Sequence, residues 1–356
     1  MSTKYQQLAK TLREQIPQLA KNGNQKLATE WELATIYNVS RQTVRRALAL
    51  LEEEGLIARR QGSGSYLAPN PRRNVSRQIA VMTTFLDDYI FPSILRDAQN
   101  LFSQAGYTTL IFATDNNVST ERRILKQLLE QDIGALLVEG SKSALPTPND
   151  DLYVQFKEQG IPVLFLHGIY SNLGDFPCIL DDNFNGGYLL AEYLIDKGHH
   201  QIAGIFKSDD IQGPQRYHGV VNALRDNNIS VNDGRFCWYD TIDRHAMVST
   251  EGCDLLDNFI RHRLSDSSAV VCYNDEVAYR LIPKLINAGK RVPQDVAVVS
   301  FDNSYYCQMG NISITSLGHK SNCTGKIAAT VLLDMLSGLP PRSVCLEWEL
   351  SERQSG

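Results

Sequence analysis

The sequence predicts an α/β protein in which a small N-terminal helical domain precedes a larger, two-lobed domain with parallel sheets. One observation is a run of short helical patterns and a glycine-rich turn within residues 27–67. A second is the alternation of apolar segments with helical patterns from residue 79 onward, which is typical of parallel sheets covered on both faces. A third is length, because about 275 residues of this pattern exceed one comfortable core and predict two lobes.

The first helix of the N-terminal pair is predicted to begin at Thr29, whose hydroxyl can cap free backbone N–H groups. Glu32 stands three residues later and completes a capping box. Leu33, Ile36 and Tyr37 are predicted to supply the apolar stripe of this helix. A tight turn is expected to follow.

The second helix is predicted to start at its N-cap Ser40 and to end at Gly55, a residue that readily takes a left-handed conformation. Apolar residues at i, i+3, i+4 and i+7 predict one buried face, formed by Val44, Ala47, Leu48 and Leu51. The polar side chains Gln42, Arg45 and Arg46 then lie on the opposite face.

The exposed face of the second helix carries groups that recognise DNA. Arg forks bind guanine, Gln amides bind adenine, and Ser, Thr and guanidinium groups bind phosphates. The alternative is a solvated basic face, as on any amphipathic helix. Residues 56–67 favour DNA binding, because they predict a hairpin whose glycines permit close approach to phosphates or the minor groove. The order of elements is that of a winged helix-turn-helix.

The segment VSRQTVRRALALLEEEGLIARRQGSGSYL resembles the DNA-binding domain of the GntR family, with its VSRxTVRxAL helix and GxGTxV wing. Two departures are visible: Ala28, where the family usually has Pro-Ser, and Ser65, where the wing usually has Thr. The resemblance implies DNA-contacting positions at Thr29, Glu30, Arg41, Thr43, Arg45, Arg46 and Gly62. The predicted DNA-binding set is completed by Ser40, Gln42 and Gln61.

Charge divides the chain in the same way. Residues 1–78 hold thirteen Lys and Arg against six Glu and no Asp, a net charge of +7. The whole chain has a net charge of -5, so the remainder carries -12. This asymmetry is typical of a basic nucleic-acid-binding domain joined to an acidic module. The predicted boundaries are a DNA-binding domain at residues 1–68, a proline-containing linker at 69–77, and an effector-binding and dimerisation domain at 78–356.

The larger domain is predicted to alternate apolar strands with helices at residues 92–104, 120–131, 152–158, 185–196, 214–226, 251–263 and 276–287. Ligands of parallel sheets bind beyond the C-terminal ends of the strands. Polar residues follow six of the apolar runs, which predicts one cleft between the lobes.

The motifs QGPQRYHGVVNAL, AVVCYNDEVAYRLI and VPQDVAVVSFDN resemble the effector-binding domain of the LacI/GalR family, which has the type I periplasmic-binding-protein fold. The resemblance extends over residues 78–350 and implies sugar contacts at Arg216, Asn274 and Asp302. For Asp275, a structural role as the N-cap of the following helix is at least as well supported as a ligand contact.

A GntR-type head on a LacI-type body is an unusual combination, and it resembles a family of arabinose-responsive repressors of Gram-positive bacteria in stretches such as TTFLDDYIFPSILR and GIFKSDDIQG. The resemblance implies a cytoplasmic, homodimeric repressor of arabinose utilisation genes. Its partners would be operator double-stranded DNA and the effector L-arabinose, with no further cofactor. Relatives associate through the helices that begin near Pro92 and Glu276.

Sugar hydroxyls both donate and accept hydrogen bonds, so carboxylates, amides and guanidinium groups satisfy them while an aromatic ring covers the apolar face of the sugar. The predicted effector-binding residues are Arg216, Asp302, Asn274, Glu139, Lys207, Tyr89, Phe91, His167, Asp210 and His319. For Tyr89 and Phe91 the alternative is hinge packing, and for His167 it is a satisfied hydrogen bond at a strand end.

Enzymatic and metal sites receive little support. The sequence has no CxxC pair and no signal peptide, and its number of cysteines is odd, which predicts reduced cytosolic thiols and no metal site. The seven cysteines are Cys178, Cys237, Cys253, Cys272, Cys307, Cys323 and Cys345. The neighbouring pairs Asp181-Asp182 and Asp209-Asp210 seldom flank one glycosidic bond, so no catalytic residue is predicted. No run reaches the roughly twenty apolar residues of a membrane helix. Two alternatives remain: a cytosolic sugar-metabolising enzyme with a DNA-binding appendage, or a repressor of the same build that responds to another sugar.

Overall fold

The computed structural model describes residues 3–21, 26–53, 55–60, 64–67, 76–86, 89–249, 254–264, 266–319 and 323–356. The chain divides into two compact units, residues 1–76 and 77–356. Of the predicted linker, residues 69–77, only Ser76 and Arg77 lie within the described residues.

The N-terminal unit, the head, consists of three helices and an antiparallel hairpin: α1 (Lys4–Lys21), α2 (Glu30–Ile36), α3 (Arg41–Glu53), β1 (Ile57–Arg60) and β2 (Gly64–Leu67). The predicted buried face of α3 packs into the core with Leu8 and Leu12 of α1. Gly55, with a φ of 69°, follows α3 in the expected left-handed conformation. Ile36 does not belong to the apolar stripe of α2, because this last residue of a short helix is 65% exposed and only Leu33 is buried.

The second unit contains two lobes, each with a six-stranded sheet. The sheet of lobe 1 has the order β13-β7-β6-β5-β3-β4, and all of its strand pairs are parallel. The elements of lobe 1 are β3 (Gln78–Thr83), α4 (Phe91–Gln104), β4 (Thr108–Ala113), α5 (Val118–Glu130), β5 (Ala135–Val138), α6 (Asp150–Glu158), β6 (Val163–Leu166), β7 (Cys178–Asp181), α13 (Thr324–Leu336) and β13 (Val344–Leu346).

The sheet of lobe 2 has the order β14-β12-β11-β10-β8-β9 and is parallel except for β14, which pairs antiparallel with β12. Its elements are α7 (Asn183–Asp196), β8 (Ile202–Lys207), α8 (Gln212–Asp226), β9 (Phe236–Tyr239), α9 (Thr241–Val248), α10 (Leu255–His262), β10 (Ala269–Cys272), α11 (Asp275–Asn287), β11 (Ala297–Phe301), α12 (Tyr306–Met309), β12 (Thr315–Gly318) and β14 (Glu349–Ser351). These parallel sheets confirm the predicted α/β class.

The helix predicted at residues 251–263 is wrong in extent. The structure has α9 before this segment and α10 within it, and residues 250–253 lie outside the described residues. Helix α9 begins at Thr241 because the side chain of Asp240, its N-cap, accepts from the N–H groups of Ile242 and Asp243 in a capping box.

The chain passes between the lobes at three crossings: from β7 to α7, from β12 to α13, and from β13 to β14. Helix α13 belongs to lobe 1, since it shares an apolar core with α4, whereas α7 shares a core with α8 of lobe 2. The C-terminal ends of the central strands of both sheets meet between the lobes, where they place polar side chains around a common cavity.

Candidate DNA-binding and effector-binding sites

The polar face of α3 forms an open concave surface on the head, together with Arg59 of the hairpin. Its lining includes Arg41, Gln42, Arg45 and Arg46, which are four of the predicted DNA-binding residues. The side chains of Arg41 and Arg45 are 62% and 63% exposed. This surface therefore offers three guanidinium forks and an amide from one helix to a nucleic acid.

Thr29 and Ser40, two of the predicted DNA-binding residues, also cap helices. Thr29 and Glu32 form the predicted capping box of α2, and the Thr43 backbone N–H donates to Ser40 Oγ at 3.2 Å. The hydroxyls of Ser40 and Thr43 lie 2.8 Å apart. Gln61 and Gly62 lie outside the described residues.

Glu30 contacts two of the predicted DNA-binding side chains. Arg45 Nε donates to Glu30 Oε2 at 2.8 Å, and the Arg41 guanidinium lies 4.0 Å from the same carboxylate oxygen. An Arg59 guanidinium N–H donates to the Arg45 backbone carbonyl at 2.9 Å. Exposed ion pairs contribute little free energy, so Arg45 can exchange this carboxylate for a base or phosphate.

Nine of the ten predicted effector-binding residues line the cavity between the lobes: Tyr89, Phe91, Glu139, His167, Lys207, Asp210, Arg216, Asn274 and Asp302. The tenth, His319, does not line it. It lies instead in an adjoining cavity with Asp181 and Trp348.

Arg216, on α8, is 2% exposed and is held on several sides. Its Nε donates to Asn183 Oδ1 at 2.9 Å and its Nη1 donates to the Tyr273 carbonyl at 2.5 Å. Its Nη2 lies 3.6 Å from Asp302 Oδ1, and its guanidinium carbon lies 4.1 Å from the centroid of the Phe301 ring. The guanidinium is therefore fixed in position before any ligand arrives.

Asp302 occupies a strained turn at the end of β11. Its φ is 95°, a conformation that residues with a Cβ rarely adopt and that is found most often at functional sites. The Tyr89 hydroxyl of lobe 1 donates to Asp302 Oδ2 of lobe 2. The carboxylate thus joins an aromatic residue of one lobe to Arg216 of the other.

Glu139 and His167 form a buried pair at the strand ends of lobe 1. Glu139 Oε2 accepts from the Thr84 backbone N–H at 2.9 Å and from the Thr84 hydroxyl, while its Oε1 lies 3.4 Å from His167 Nδ1. Burial raises the pKa of Glu139, but the hydrogen bonds of His167 and Thr84 lower it below its usual value overall. Burial lowers the pKa of His167, but the Glu139 hydrogen bond and the nearby Asp181 carboxylate raise it to about 9.

Lys207 ends β8 between two carboxylates. Its Nζ lies 2.5 Å from Asp210 Oδ2 and 3.3 Å from Asp209 Oδ1. Burial lowers the pKa of Lys207, but these carboxylates raise it above its usual value overall. Asn116 of lobe 1 donates to Asp210 Oδ1 at 3.1 Å and to Thr241 Oγ1 at 2.6 Å, which joins the two lobes beside the lysine.

The expected capping role of Asp275 is wrong, because Asn274 is the N-cap of α11. The Val277 backbone N–H donates to Asn274 Oδ1 at 3.0 Å, so the cap lies one residue before the expected position and Asp275 is the first residue of the helix. Asp275 is fully buried and accepts from the hydroxyls of Ser300 and Ser316. Asn274 therefore combines a capping role with its place in the cavity wall.

The cavity also contains residues that were not predicted from the sequence: Thr84, Phe85, Ile90, Gln212, Tyr239, Arg244 and Tyr273. Tyr239 and Tyr273 lie at strand ends, so the rule that placed Glu139 could have found them. Arg244 lies on α9, which the periodicity did not predict. Its Nε donates to Glu276 Oε2 at 3.0 Å and its guanidinium carbon lies 4.6 Å from the Phe85 ring centroid.

The raised pKa of His167 makes a testable contribution to stability. In the unfolded chain a histidine titrates near pH 6.5, whereas His167 in the folded protein titrates at about 9. The folded state therefore binds the proton more tightly, and this stabilisation is complete below pH 6.5 and is lost as the pH rises through 9. We expect urea unfolding at pH 6 to 9 to show a fall in the free energy of unfolding that is absent in His167→Gln. If the free energy of unfolding changed with pH in the same way in both proteins, the raised pKa of His167 would be contradicted.

No helix among the described residues is long and apolar enough to cross a membrane. Within the same part of the chain, no group of three or more His, Cys, Asp or Glu side chains is arranged to hold a metal ion.

Comparison with known proteins identifies both parts of the chain. Residues 4–67 match the family model of bacterial regulatory proteins of the gntR family, and residues 191–356 match that of the periplasmic binding protein-like domain. The solved complex of the transcriptional regulator CelR with cellobiose is similar in fold, with a TM-score of 0.68 at 20% sequence identity. That match covers 93% of this chain and 100% of the other.

Two relatives are arabinose metabolism transcriptional repressors. The one from Halalkalibacterium halodurans is 34% identical over 361 residues, which cover 100% of this chain and 92% of the relative. The one from Geobacillus stearothermophilus is 33% identical over 316 residues, which cover 88% of this chain and 85% of the relative. The chain therefore belongs to the family of arabinose metabolism transcriptional repressors, and it is a DNA-binding transcriptional repressor and not an enzyme.

Proposed function

We propose that this repressor occupies operator DNA as a homodimer in the cytoplasm and is released when L-arabinose binds in the cavity between its lobes. The observation that carries the proposal is the set of nine polar and aromatic residues that converge on that cavity. The two relatives described above, both arabinose metabolism transcriptional repressors, support the choice of sugar.

The chemistry of the cavity suits a neutral polyol. Glu139 and Asp302 supply acceptors, Lys207 and Arg216 supply donors, and Asn274 supplies an amide. A sugar hydroxyl can donate to a carboxylate and accept from a cation at the same time. Aromatic rings in the wall can cover the apolar face of the sugar. The bound cellobiose of CelR supports the use of this fold for sugars.

A homodimer is proposed because two heads are needed to bind the two half-sites of a palindromic operator. Exposed apolar side chains lie on and near α11 and α12, namely Ile286, Tyr305 and Met309, which are 46%, 55% and 59% exposed. Such a surface is typical of an association face. Sedimentation equilibrium measures the oligomeric state directly.

The test of the function is a sugar titration of the protein–DNA complex. A fluorescent duplex, selected by the protein from a random library, is bound and then titrated with L-arabinose, D-xylose, D-galactose and cellobiose. We expect L-arabinose alone to lower the anisotropy to that of free DNA. Such a shift from 99:1 to 1:99 requires about 5.5 kcal/mol of differential binding. Unchanged anisotropy at saturating L-arabinose would overturn the choice of effector, and release by another sugar would reassign it.

Arg45→Ala is expected to weaken operator binding by roughly tenfold to 100-fold, because a bidentate Arg–base contact discriminates by about 1–3 kcal/mol. L-arabinose affinity should stay unchanged, since Arg45 lies in the separate N-terminal unit. The matched control is Lys10→Ala, which removes the same charge from the exposed surface of α1. Anisotropy at several salt concentrations separates a lost base contact from a lost nonspecific charge. Equal effects of both variants would contradict a recognition role for Arg45.

A further inference from the structure

One histidine contacts all three crossings between the lobes. His319 lies directly after β12, on the crossing that leads to α13. Its Nε2 lies 2.8 Å from Asp181 Oδ1, at the end of β7, and its Nδ1 lies 2.9 Å from the Glu347 carbonyl, between β13 and β14. Its ring stacks on Trp348 with the centroids 4.1 Å apart and an interplanar angle of 22°. We call Asp181, His319 and Trp348 the hinge cluster.

Two further hydrogen bonds join the first and third crossings at the hinge cluster. Trp348 Nε1 donates to the Asp182 carbonyl at 2.9 Å, and the Asp182 backbone N–H donates to the Leu346 carbonyl at 3.0 Å. The first crossing is thereby bonded to the third at two points, and His319 bonds the second crossing to both. A rotation of one lobe against the other changes the geometry of this cluster.

Both ring nitrogens of His319 face oxygen atoms of the crossings. A backbone carbonyl only accepts, so Nδ1 donates to Glu347. Nε2 faces the Asp181 carboxyl group; burial raises the pKa of Asp181, but the His319 hydrogen bond and nearby cations lower it overall. The ring is therefore bonded on both sides. Charged or titratable groups around this imidazole and its cavity are Asp181, Asp182, Glu347, His167, Asp302, Tyr89, Tyr305 and Arg216.

The hinge cluster touches the effector cavity through Arg216 and Gln212. The Arg216 guanidinium carbon lies 5.4 Å from the Trp348 ring centroid, and Gln212 Nε2 donates to Asp181 Oδ2 at 3.2 Å. Both Arg216 and Gln212 line the cavity proposed to bind sugar. A ligand that moves either side chain therefore acts directly on the first and third crossings.

We propose that His319 is a positioning residue that fixes the relation of the three crossings and converts sugar binding near Arg216 into the lobe arrangement that releases DNA. This inference rests on the proposed function. It differs from the expectation that His319 contacts the effector, because the residue lines the adjoining cavity and both of its ring nitrogens already face protein acceptors.

A ligand-free measurement tests the stacked ring. In a Trp31→Phe/Trp238→Phe background, Trp348 is the only tryptophan, and an imidazole ring that stacks on indole quenches its fluorescence. At a fixed pH we expect its emission to rise in His319→Gln, because the stacked ring is removed, and to stay unchanged in His200→Gln. Emission that His319→Gln leaves unchanged would overturn the hinge cluster.

The second measurement separates coupling from binding. In His319→Gln and His319→Asn we expect the calorimetric Kd for L-arabinose to change less than threefold, while the sugar concentration that releases half of the operator rises at least about tenfold. Trp348→Phe keeps the stack but lacks the N–H donor to Asp182, and it should give a smaller rise. His200→Gln, on the exposed surface, is the matched control.

The outcomes distinguish the two proposals. The positioning role of His319 would be overturned if the sugar concentration that releases half of the operator changed only in proportion to the Kd for L-arabinose, or did not change. A wild-type protein that binds no L-arabinose would overturn the proposed effector, while the Trp348 emission would still decide whether the hinge cluster forms. Melting curves identify any variant that fails to fold, and Trp348→Phe then carries the release test.

Discussion

Arg216→Lys is expected to give a repressor that remains on its operator at sugar concentrations that release the wild-type protein. Lysine keeps the positive charge that faces Asp302, but it cannot donate to both Asn183 and the Tyr273 carbonyl while facing the ligand. We expect the Kd for L-arabinose to rise at least 100-fold, equivalent to about 3 kcal/mol. Operator affinity without sugar should match the wild type.

Calorimetry with L-arabinose and operator anisotropy measure these two affinities separately. Arg216→Met is the harsher variant, because it leaves Asp302 without its buried cation and is expected to destabilise the domain by about 3–5 kcal/mol. The control is Arg225→Lys, at an exposed position in the last turn of the same helix. Release of Arg216→Lys by the wild-type concentration of L-arabinose would remove Arg216 from the effector site.

Gly187→Ala is expected to impair both stability and sugar response, although residue 187 does not line the cavity. A Cβ at this position of α7 would lie 2.0 Å from the Arg216 carbonyl oxygen on α8, which is far inside van der Waals contact. Because the obstacle is backbone, the two helices must separate and carry Arg216 with them. Overpacking of this kind costs about 1–3 kcal/mol or more.

Urea unfolding and calorimetry with L-arabinose measure the two effects of Gly187→Ala. Gly174→Ala is the control, because a Cβ at that exposed glycine would meet no atom within 4 Å. We expect this control to leave both quantities near wild type. Wild-type stability in Gly187→Ala would show that α7 and α8 tolerate a wider separation than the structure indicates.

Local patterns determine the parts of the head that were predicted correctly. The capping box at Thr29 and the buried face of α3 depend on contacts within one or two helical turns, so spacing alone reveals them. Ile36 fits the same periodicity but lies at the end of its helix, where it is 65% exposed and no element of the described part of the head covers it. Burial at a helix terminus depends on the packing of other elements, which periodicity does not contain.

In the larger domain, a topological rule located most of the cavity. Parallel strands place their C-terminal ends together, so Glu139, Lys207 and Asp302 could be grouped without knowledge of the loops. His319 follows a strand as they do, yet it turns to the crossings, because its ring nitrogens meet acceptors from β7 and from the segment before β14. The short strands β7, β13 and β14, at or next to the edges of the sheets, were not predicted, since runs of three or four residues have no clear periodicity.

The three crossings also have a consequence for biosynthesis. Lobe 1 is built from two stretches of chain separated by most of lobe 2, so its sheet lacks β13 until residue 346 has been made. The sheet of lobe 2 likewise lacks β14 until residue 351 has been made. The head is contiguous and ends far earlier in the sequence. A ribosome therefore completes the DNA-binding surface long before either lobe of the larger unit, and a prematurely terminated chain would carry a head without the complete cavity proposed to bind the effector.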